Sequence, residues 1–296
     1  MEETKTNKLR HFTDKLYGGL NMSWRAVILF AVAVAVLTAV IMIIPAFTDT
    51  SFEKIGVTFE AWIFFAVIIM ANCRTPLDSA VKTFVFFLIS QPLIYLIQVP
   101  FSPLGWQLFE YYPYWFFWTL ATFPMAYIGW YIKKKNWLSV LIFAPVLLFL
   151  GNTVFLDGRE VVKHFPHMLI STVFCILQIL LYVYVFFPEK SQKAVGLAIP
   201  AVMLIVMIIL TPQVAFDRYD ILPDEPSYSE EATLLVEDPS IAEVSFIDPL
   251  SGRILIQAHK YGETVFTVTD NGTKYIYTIL IYDDNGTDRS KITVHE

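Results

Sequence analysis

The residues whose types and spacing best suit metal chemistry are Glu160, His164 and His167. Positions i, i+4 and i+7 share one face of an α-helix, so one carboxylate and two imidazoles would project together. Neutral imidazole with carboxylate is a ligand set typical of zinc. Pro166 interrupts a helix immediately before His167. The alternative is therefore an interfacial loop that carries titratable histidines.

Five amide and hydroxyl side chains lie inside apolar runs, where each costs free energy unless a partner or cavity water satisfies it. They are Ser90, Gln91, Gln98, Asn152 and Gln178. Pro92 follows the first two and removes a helix hydrogen bond, which frees a carbonyl group. These residues predict either a polar path through a membrane or hydrogen bonds that only hold helices together.

Aromatic residues are concentrated between positions 106 and 118. The cluster comprises Trp106, Tyr111, Tyr112, Trp115 and Trp118. Amphipathic rings favour the headgroup layer of a membrane, which is the simpler interpretation. The same clustering would also suit the outer mouth of a substrate vestibule.

Motifs for other chemistry are absent from the sequence. It contains no Gly-x-Ser-x-Gly elbow, no His-Glu-x-x-His and no Gly-rich phosphate loop. We therefore assign no catalytic residue and no cofactor, and the sequence favours a protein that is not an enzyme. No Asp, Glu, Lys or Arg falls at the centre of an apolar run, which argues against an ion-coupled pump.

The apolar runs themselves predict an α-helical polytopic membrane protein. The chain of 296 residues is 56% hydrophobic, and its mean hydropathy is +0.55. A span needs about 20 mostly apolar residues. Seven candidate spans lie within a bundle over 26–210, at 26–47, 61–73, 84–99, 115–132, 137–155, 168–187 and 194–210. If the short second run is re-entrant, only six cross.

Basic residues predict the orientation of these spans. With seven crossings, the sides predicted to be cytoplasmic carry 12 Lys and Arg, and the opposite loops carry 3. Short loops rich in Lys and Arg stay in the cytoplasm. We therefore expect the basic segment 1–25 inside and the C-terminal part outside.

Charge and periodicity both change after residue 210. Residues 1–210 carry 15 Lys and Arg against 11 Asp and Glu, and the remainder carries 6 against 16. Such an acidic part is not expected to bind nucleic acid. We interpret 211–230 as an acidic linker and 231–296 as a small all-β sandwich. Its strands are predicted at 232–236, 242–247, 253–257, 264–269 and 275–282, with Asn271 and Gly272 forming a two-residue hairpin turn.

Three motifs in this β region carry a family resemblance. They are 238–244 (DPSIAEV), 252–254 (GRI) and 262–269 (GETVFTVT). Over about 232–282 the chain resembles the second half of a bacterial immunoglobulin-like domain of group 2. The resemblance implies an immunoglobulin-like fold on a bacterial cell surface, serving as a spacer or adhesion unit.

Together these patterns predict a multi-pass protein of a bacterial cell membrane. Its expected function is transport or handling of an apolar or lipid-linked molecule, as a subunit of a complex or alone. The outer domain would position a membrane-protein or cell-envelope partner. The alternative is a membrane-anchored cell-surface scaffold or sensor without transport activity.

Overall fold

The computed structural model describes residues 2–211, 214–223, 228–284 and 287–294. The chain forms two compact units, Met1–Val206 and Met207–Glu296. The first unit is helical, and the second contains all the described β-strands after the last turn of the final helix. Parts of the predicted acidic linker, 212–213 and 224–227, lie outside the described residues.

Apolar runs fold into helices because each helix satisfies its own backbone hydrogen bonds. Among the described residues there are nine α-helices. They are α1 (Glu2–Leu16), α2 (Trp24–Ile43), α3 (Ser51–Val57), α4 (Phe59–Asn72), α5 (Pro76–Gln98), α6 (Tyr112–Gly129), α7 (Trp137–Lys163), α8 (Leu169–Phe186) and α9 (Lys190–Leu210).

Five of the helices described, α2, α5, α7, α8 and α9, are long and apolar enough to cross a membrane. The short helices α3 and α4 meet at a bend of 52°, and together they would make a sixth. The sequence predicted seven spans, two more than these five long helices. Helices α4 and α6 occupy the two remaining predicted spans. Helix α4 has only 14 residues. Helix α6 has 18, and its Trp, Tyr and Pro residues lower its hydropathy.

Helix α4 lies between two hydrophobic cores and contributes to both. Val67 and Ile68 pack with residues of α7 and α8, among them Phe143, whose ring lies 5.1 Å from that of Tyr182. Trp62 faces the other core, which α2 and α5 complete. The position of α4 is therefore set by helices on either side of it.

Hydrogen bonds connect three segments at one end of the helical unit. Asn72 accepts a hydrogen bond from the Leu20 amide at 2.8 Å and donates one to the Leu16 carbonyl at 2.7 Å. Lys133 Nζ donates to the Cys73 carbonyl at 2.6 Å. The N-terminal segment, the turn after α4 and the lysines after α6 therefore share one end.

A close approach at Gly151 joins α9 to α7. Only 11% of the apolar window of α9 is buried, so few contacts hold this helix. A Cβ atom on Gly151 would lie 3.0 Å from Pro200 Cβ and 3.1 Å from Pro200 Cα. Small residues at such points let two membrane helices approach closely.

We predict that Gly151→Val lowers the free energy of unfolding of the helical unit by about 1–3 kcal/mol, because the added methyl groups push α9 away. Gly158→Val is the matched control on α7, since a Cβ there meets no atom within 4 Å. Thermal unfolding of the purified protein measures both changes. Equal losses in the two variants would show that helix propensity, and not the α9 contact, is responsible.

Two antiparallel sheets on one core form the second unit. Its strands are β1 (Phe216–Ile221), β2 (Thr233–Val236), β3 (Ala242–Asp248), β4 (Arg253–Ala258), β5 (Gly262–Asp270), β6 (Thr273–Asp284) and β7 (Thr287–Val294). One sheet has the order β1-β4-β3 and the other β2-β5-β6-β7. Residues from both sheets, including Ile256 and Phe266, share the core.

The five predicted strands correspond to β2 through β6, and the hairpin turn is confirmed. Asn271 and Gly272 have φ angles of 49° and 80°, the positive values that this tight turn requires. A correction concerns β1, which forms inside the segment interpreted as linker and pairs with β4. Its sequence lacks an alternating apolar face, but the backbone groups of β4 still pair with it. Edge strand β7 was not predicted, because its sequence is as polar as that of β1.

Candidate functional site

An ion pair between α3 and α7 includes a fully buried carboxylate. Lys54 Nζ donates a hydrogen bond to Asp157 Oδ1, and the Asp157 side chain has no exposed surface. Ser171 Oγ, on α8, donates to the other carboxylate oxygen, Oδ2, at 2.5 Å. Both oxygens of Asp157 are therefore satisfied, one by a charge and one by a hydroxyl group.

A second buried carboxylate lies beside this pair. Glu60, at the start of α4, is 3% exposed, and its Oε1 accepts a hydrogen bond of 2.9 Å from Thr153 Oγ1. Its Oε2 has no hydrogen-bond partner among the described residues. Thr153 and Asp157 are four residues apart and lie on one face of α7. We call Lys54, Glu60, Thr153, Asp157 and Ser171 the polar cluster.

The break between α3 and α4 places Lys54 and Glu60 in this cluster. Thr58 ends α3 and begins α4 in an extended conformation, with φ −90° and ψ 167°. Its amide and hydroxyl groups both donate to the Lys54 carbonyl, at 2.9 and 2.6 Å. Trp62 Nε1 donates to the Gly56 carbonyl at 3.2 Å. The Lys54 carbonyl thus keeps its helical amide partner and gains a hydroxyl donor, whereas the Gly56 carbonyl accepts from an indole group at the break.

A cleft of about 470 Å³ opens next to the polar cluster. Its lining residues are mostly apolar with a few polar groups, namely Ala46, Phe47, Thr50, Ser51, Phe52, His164, Pro166, His167, Met168 and Ile170. Ser51 lies about one helical turn before Lys54 on α3. Ile170 directly precedes Ser171 on α8. The same two helices therefore form a wall of the cleft and part of the cluster.

The predicted zinc ligands lie near this cleft, but they do not share one face of a helix. His167 Nε2 is 2.9 Å from the Asp49 carbonyl oxygen, and His167 Nδ1 is 3.9 Å from Glu160 Oε2. Helix α7 ends before His164, so Pro166 and His167 leave the helical path. No three His, Cys, Asp or Glu side chains within the described part of the chain are arranged to hold a metal. The zinc hypothesis gains no support from this geometry.

The five residues of the predicted polar path lie in two regions. Ser90, Gln91 and Gln98 are buried on α5, which packs chiefly against α2 and α6. Gln178 is buried on α8 and accepts a hydrogen bond from the Tyr182 hydroxyl at 2.9 Å. Asn152 is half-buried on α7, which packs chiefly against α8. The structure does not bring the α5 residues together with the others.

The predicted aromatic mouth also divides into two parts. Trp106 and Tyr111 are exposed on a 3-10 segment, Gly105–Tyr111, and Tyr112 packs on Tyr95 with a ring separation of 6.2 Å. The Phe59 ring lies 5.6 Å from that of Trp115 and 5.1 Å from that of Trp118. These two tryptophans therefore pack on Phe59, the first residue of α4 after the α3–α4 break.

No family model, curated protein or solved structure matches this chain. The functional assignment therefore rests on the chemistry of the polar cluster and the cleft.

The polar cluster was missed by sequence reasoning because its three charged residues lie outside the predicted spans. The predicted fifth span ended at residue 155, whereas α7 continues to Lys163 and includes Asp157. The signal available was the pair Val161 and Val162, which continues the apolar composition beyond Asp157. Lys54 and Glu60 lie between the predicted spans 26–47 and 61–73, in a stretch that the sequence predicts as a loop.

Proposed function

We propose that the chain is a multi-pass protein of a bacterial cell membrane with seven crossings. The five long helices, the bent pair α3–α4 and the aromatic helix α6 supply them. The contacts of Asn72 and Lys133 support an inside location for the end that they share, because that end carries most of the Lys and Arg. An odd number of crossings then exposes the β domain outside.

We further propose that the β domain is immunoglobulin-like and positions a partner in the cell envelope. Two packed antiparallel sheets support this assignment, together with the motifs that resemble the bacterial group 2 family. The domain remains acidic overall, which favours a partner with basic groups on its surface.

The proposed activity of the bundle is the transport or handling of an apolar or lipid-linked molecule. The observation that carries it is the cleft, whose apolar wall adjoins polar groups and a buried ion pair. Phe47, Phe52 and Ile170 would contact an apolar chain. Thr50 and His167 would face its polar end. Ligand sites typically combine a mainly apolar wall with a few such polar groups.

The bent pair α3–α4 is the element we propose to move during this activity. Helix α3 has only seven residues and carries both cleft residues and Lys54. The ion pair of Lys54 and Asp157 would hold α3 closed against α7 and α8. Discontinuous helices lining a cavity recur at substrate sites of membrane transporters.

Filling the cleft tests this proposal. We predict that Ile170→Trp lowers the flux of a fluorescent lipid analogue in reconstituted vesicles by at least about tenfold, because the indole occupies the apolar wall. Ile176→Trp on the same helix is the control: Ile176 is 40% exposed and does not line the cleft.

Wild-type protein without flux, or equal flux in both variants, would contradict the proposal. A folded bundle without flux that still retains an envelope partner through the β domain would indicate the scaffold function instead.

A further inference from the structure

The turn between α4 and α5 carries a concentration of positive charge that the proposed transport activity does not use. A hydrogen bond of 2.6 Å from Lys133 Nζ to the Cys73 carbonyl brings together two segments, 73–82 and 130–135. The two segments contain five Lys and Arg residues and a single acidic residue, Asp78. Most of this positive charge therefore has no carboxylate partner within the two segments.

A continuous series of contacts places three of these cations around the turn. Asp78 Oδ2 accepts a hydrogen bond from the Arg74 amide at 3.2 Å, and Asp78 Oδ1 pairs with Lys82 Nζ at 2.7 Å. Cys73, whose carbonyl accepts the bond from Lys133, directly precedes Arg74 in the chain. We call Arg74, Lys82 and Lys133 the basic turn.

The basic turn has more positive charge than its carboxylate can neutralise. Asp78 pairs with Lys82, whereas the Arg74 side chain is exposed. Neither Arg74 nor Lys133 forms an ion pair within the part of the chain that the structure describes. Three cations and one carboxylate leave an excess of two positive charges. Guanidinium and ammonium groups bind phosphate through charge-assisted hydrogen bonds, so this excess favours a phosphate ligand.

Aromatic and apolar side chains adjoin the basic turn. Lys82 Nζ lies 5.8 Å from the centre of the Trp24 ring, and Lys133 Nζ lies 5.2 Å from that of Trp130. Trp24 is 48% exposed, and Leu77, in the first turn of α5, is 58% exposed. Indole rings favour the headgroup layer of a membrane. A ligand that joins an anionic group to apolar chains therefore fits this surface better than a soluble anion does.

We propose that the basic turn binds the phosphate headgroup of an anionic phospholipid. The side chains of Arg74, Lys82 and Lys133 would contact the phosphate oxygens, while Trp24 and Leu77 would contact the apolar part of the lipid. Basic pockets between membrane helices recognise anionic headgroups in this way. The inference rests on the proposed membrane location of the helical unit, but it requires neither the transport activity nor the proposed orientation of the spans.

Native mass spectrometry of the purified full-length protein in a neutral detergent tests the proposal, because each bound lipid adds its own mass. The detergent sample reports binding without flux or orientation, so a failure here leaves the transport proposal untouched. Phosphatidylglycerol, which is anionic, and phosphatidylcholine, which is zwitterionic, are titrated with identical acyl chains. We expect the wild-type protein to bind phosphatidylglycerol at least about tenfold more tightly, because each basic residue near a headgroup strengthens binding several-fold.

Removing two cations of the basic turn should reduce this preference. Arg74→Gln with Lys133→Gln is expected to weaken phosphatidylglycerol binding at least about tenfold and to leave phosphatidylcholine binding unchanged. Lys190→Gln with Lys193→Gln is the matched control, since it removes the same net charge from the first turn of α9, outside the basic turn. The control should bind phosphatidylglycerol like the wild type.

Inorganic phosphate distinguishes a lipid site from a site for a soluble anion. Added to the complex, it should not displace phosphatidylglycerol, because it cannot contact the apolar surface. Arg74→Gln alone, at an exposed position, should weaken binding about fivefold and carries the test if the double variant does not fold. Equal affinity of the wild type for the two lipids, displacement by inorganic phosphate, or a loss in the basic-turn variant no larger than that in the control would overturn the proposal.

Discussion

Replacing Lys54 with methionine is expected to lower the free energy of unfolding of the helical unit by about 3–5 kcal/mol. Asp157 has no exposed surface, so the substitution leaves a buried charge with only the Ser171 hydroxyl group as a partner. Removing one member of a buried pair costs more than the pair contributes, because the remaining charge is not hydrated. Thermal or denaturant unfolding of the purified protein measures the loss.

The double variant Lys54→Met with Asp157→Asn should recover a large part of this loss, since it removes the stranded charge. Arg10→Met is the control for an exposed pair: the Arg10 and Asp14 side chains are 75% and 65% exposed. Its cost should stay below about 1 kcal/mol. Additive effects of the two cluster substitutions would show that Lys54 and Asp157 are not coupled.

Replacing Phe266 with alanine is expected to lower the free energy of unfolding of the β domain by about 3–5 kcal/mol. Phe266 has no exposed surface, and its ring stacks on that of Tyr277 with centroids 5.2 Å apart. The truncation leaves a cavity between the two sheets. Because the domain is a separate compact unit, the helical unit should keep its own unfolding transition.

Limited proteolysis during heating separates the two transitions of this variant. Leu235→Ala is the control, since Leu235 is 73% exposed on β2, and its effect should stay within about 0.5 kcal/mol. A simultaneous loss of both units in Phe266→Ala would argue against independent domains.

Sequence patterns predicted the features that depend on residues close together in the chain. The apolar runs form helices, and the segment of alternating apolar residues after residue 231 forms strands β2 through β6. Asn271 and Gly272 specified their turn because few other residues adopt positive φ angles without strain. Strand β1 was missed, because its pairing depends on β4 and leaves no apolar periodicity in its own residues.

The polar cluster could not be predicted from local patterns because its partners are distant in the chain. Lys54 and Asp157 are separated by 103 positions, and Glu60 and Thr153 by 93. The three charged residues lie outside the predicted spans and resemble loop residues, and Thr153 lies inside one as an isolated hydroxyl group. Only the packing of α4 between two cores, and the bend at Thr58, bring them together.

The orientation of the chain underlies every function proposed here, and it can be measured directly by cysteine labelling in intact cells. Cys73 and Cys175 are both buried, so a membrane-impermeant maleimide should find little background. We expect Leu235→Cys, in the β domain, to be labelled in intact cells. Lys135→Cys, in the turn after α6, should be labelled only after permeabilisation. The reverse pattern, or labelling of Leu235→Cys only in permeabilised cells, would contradict seven crossings with an external β domain.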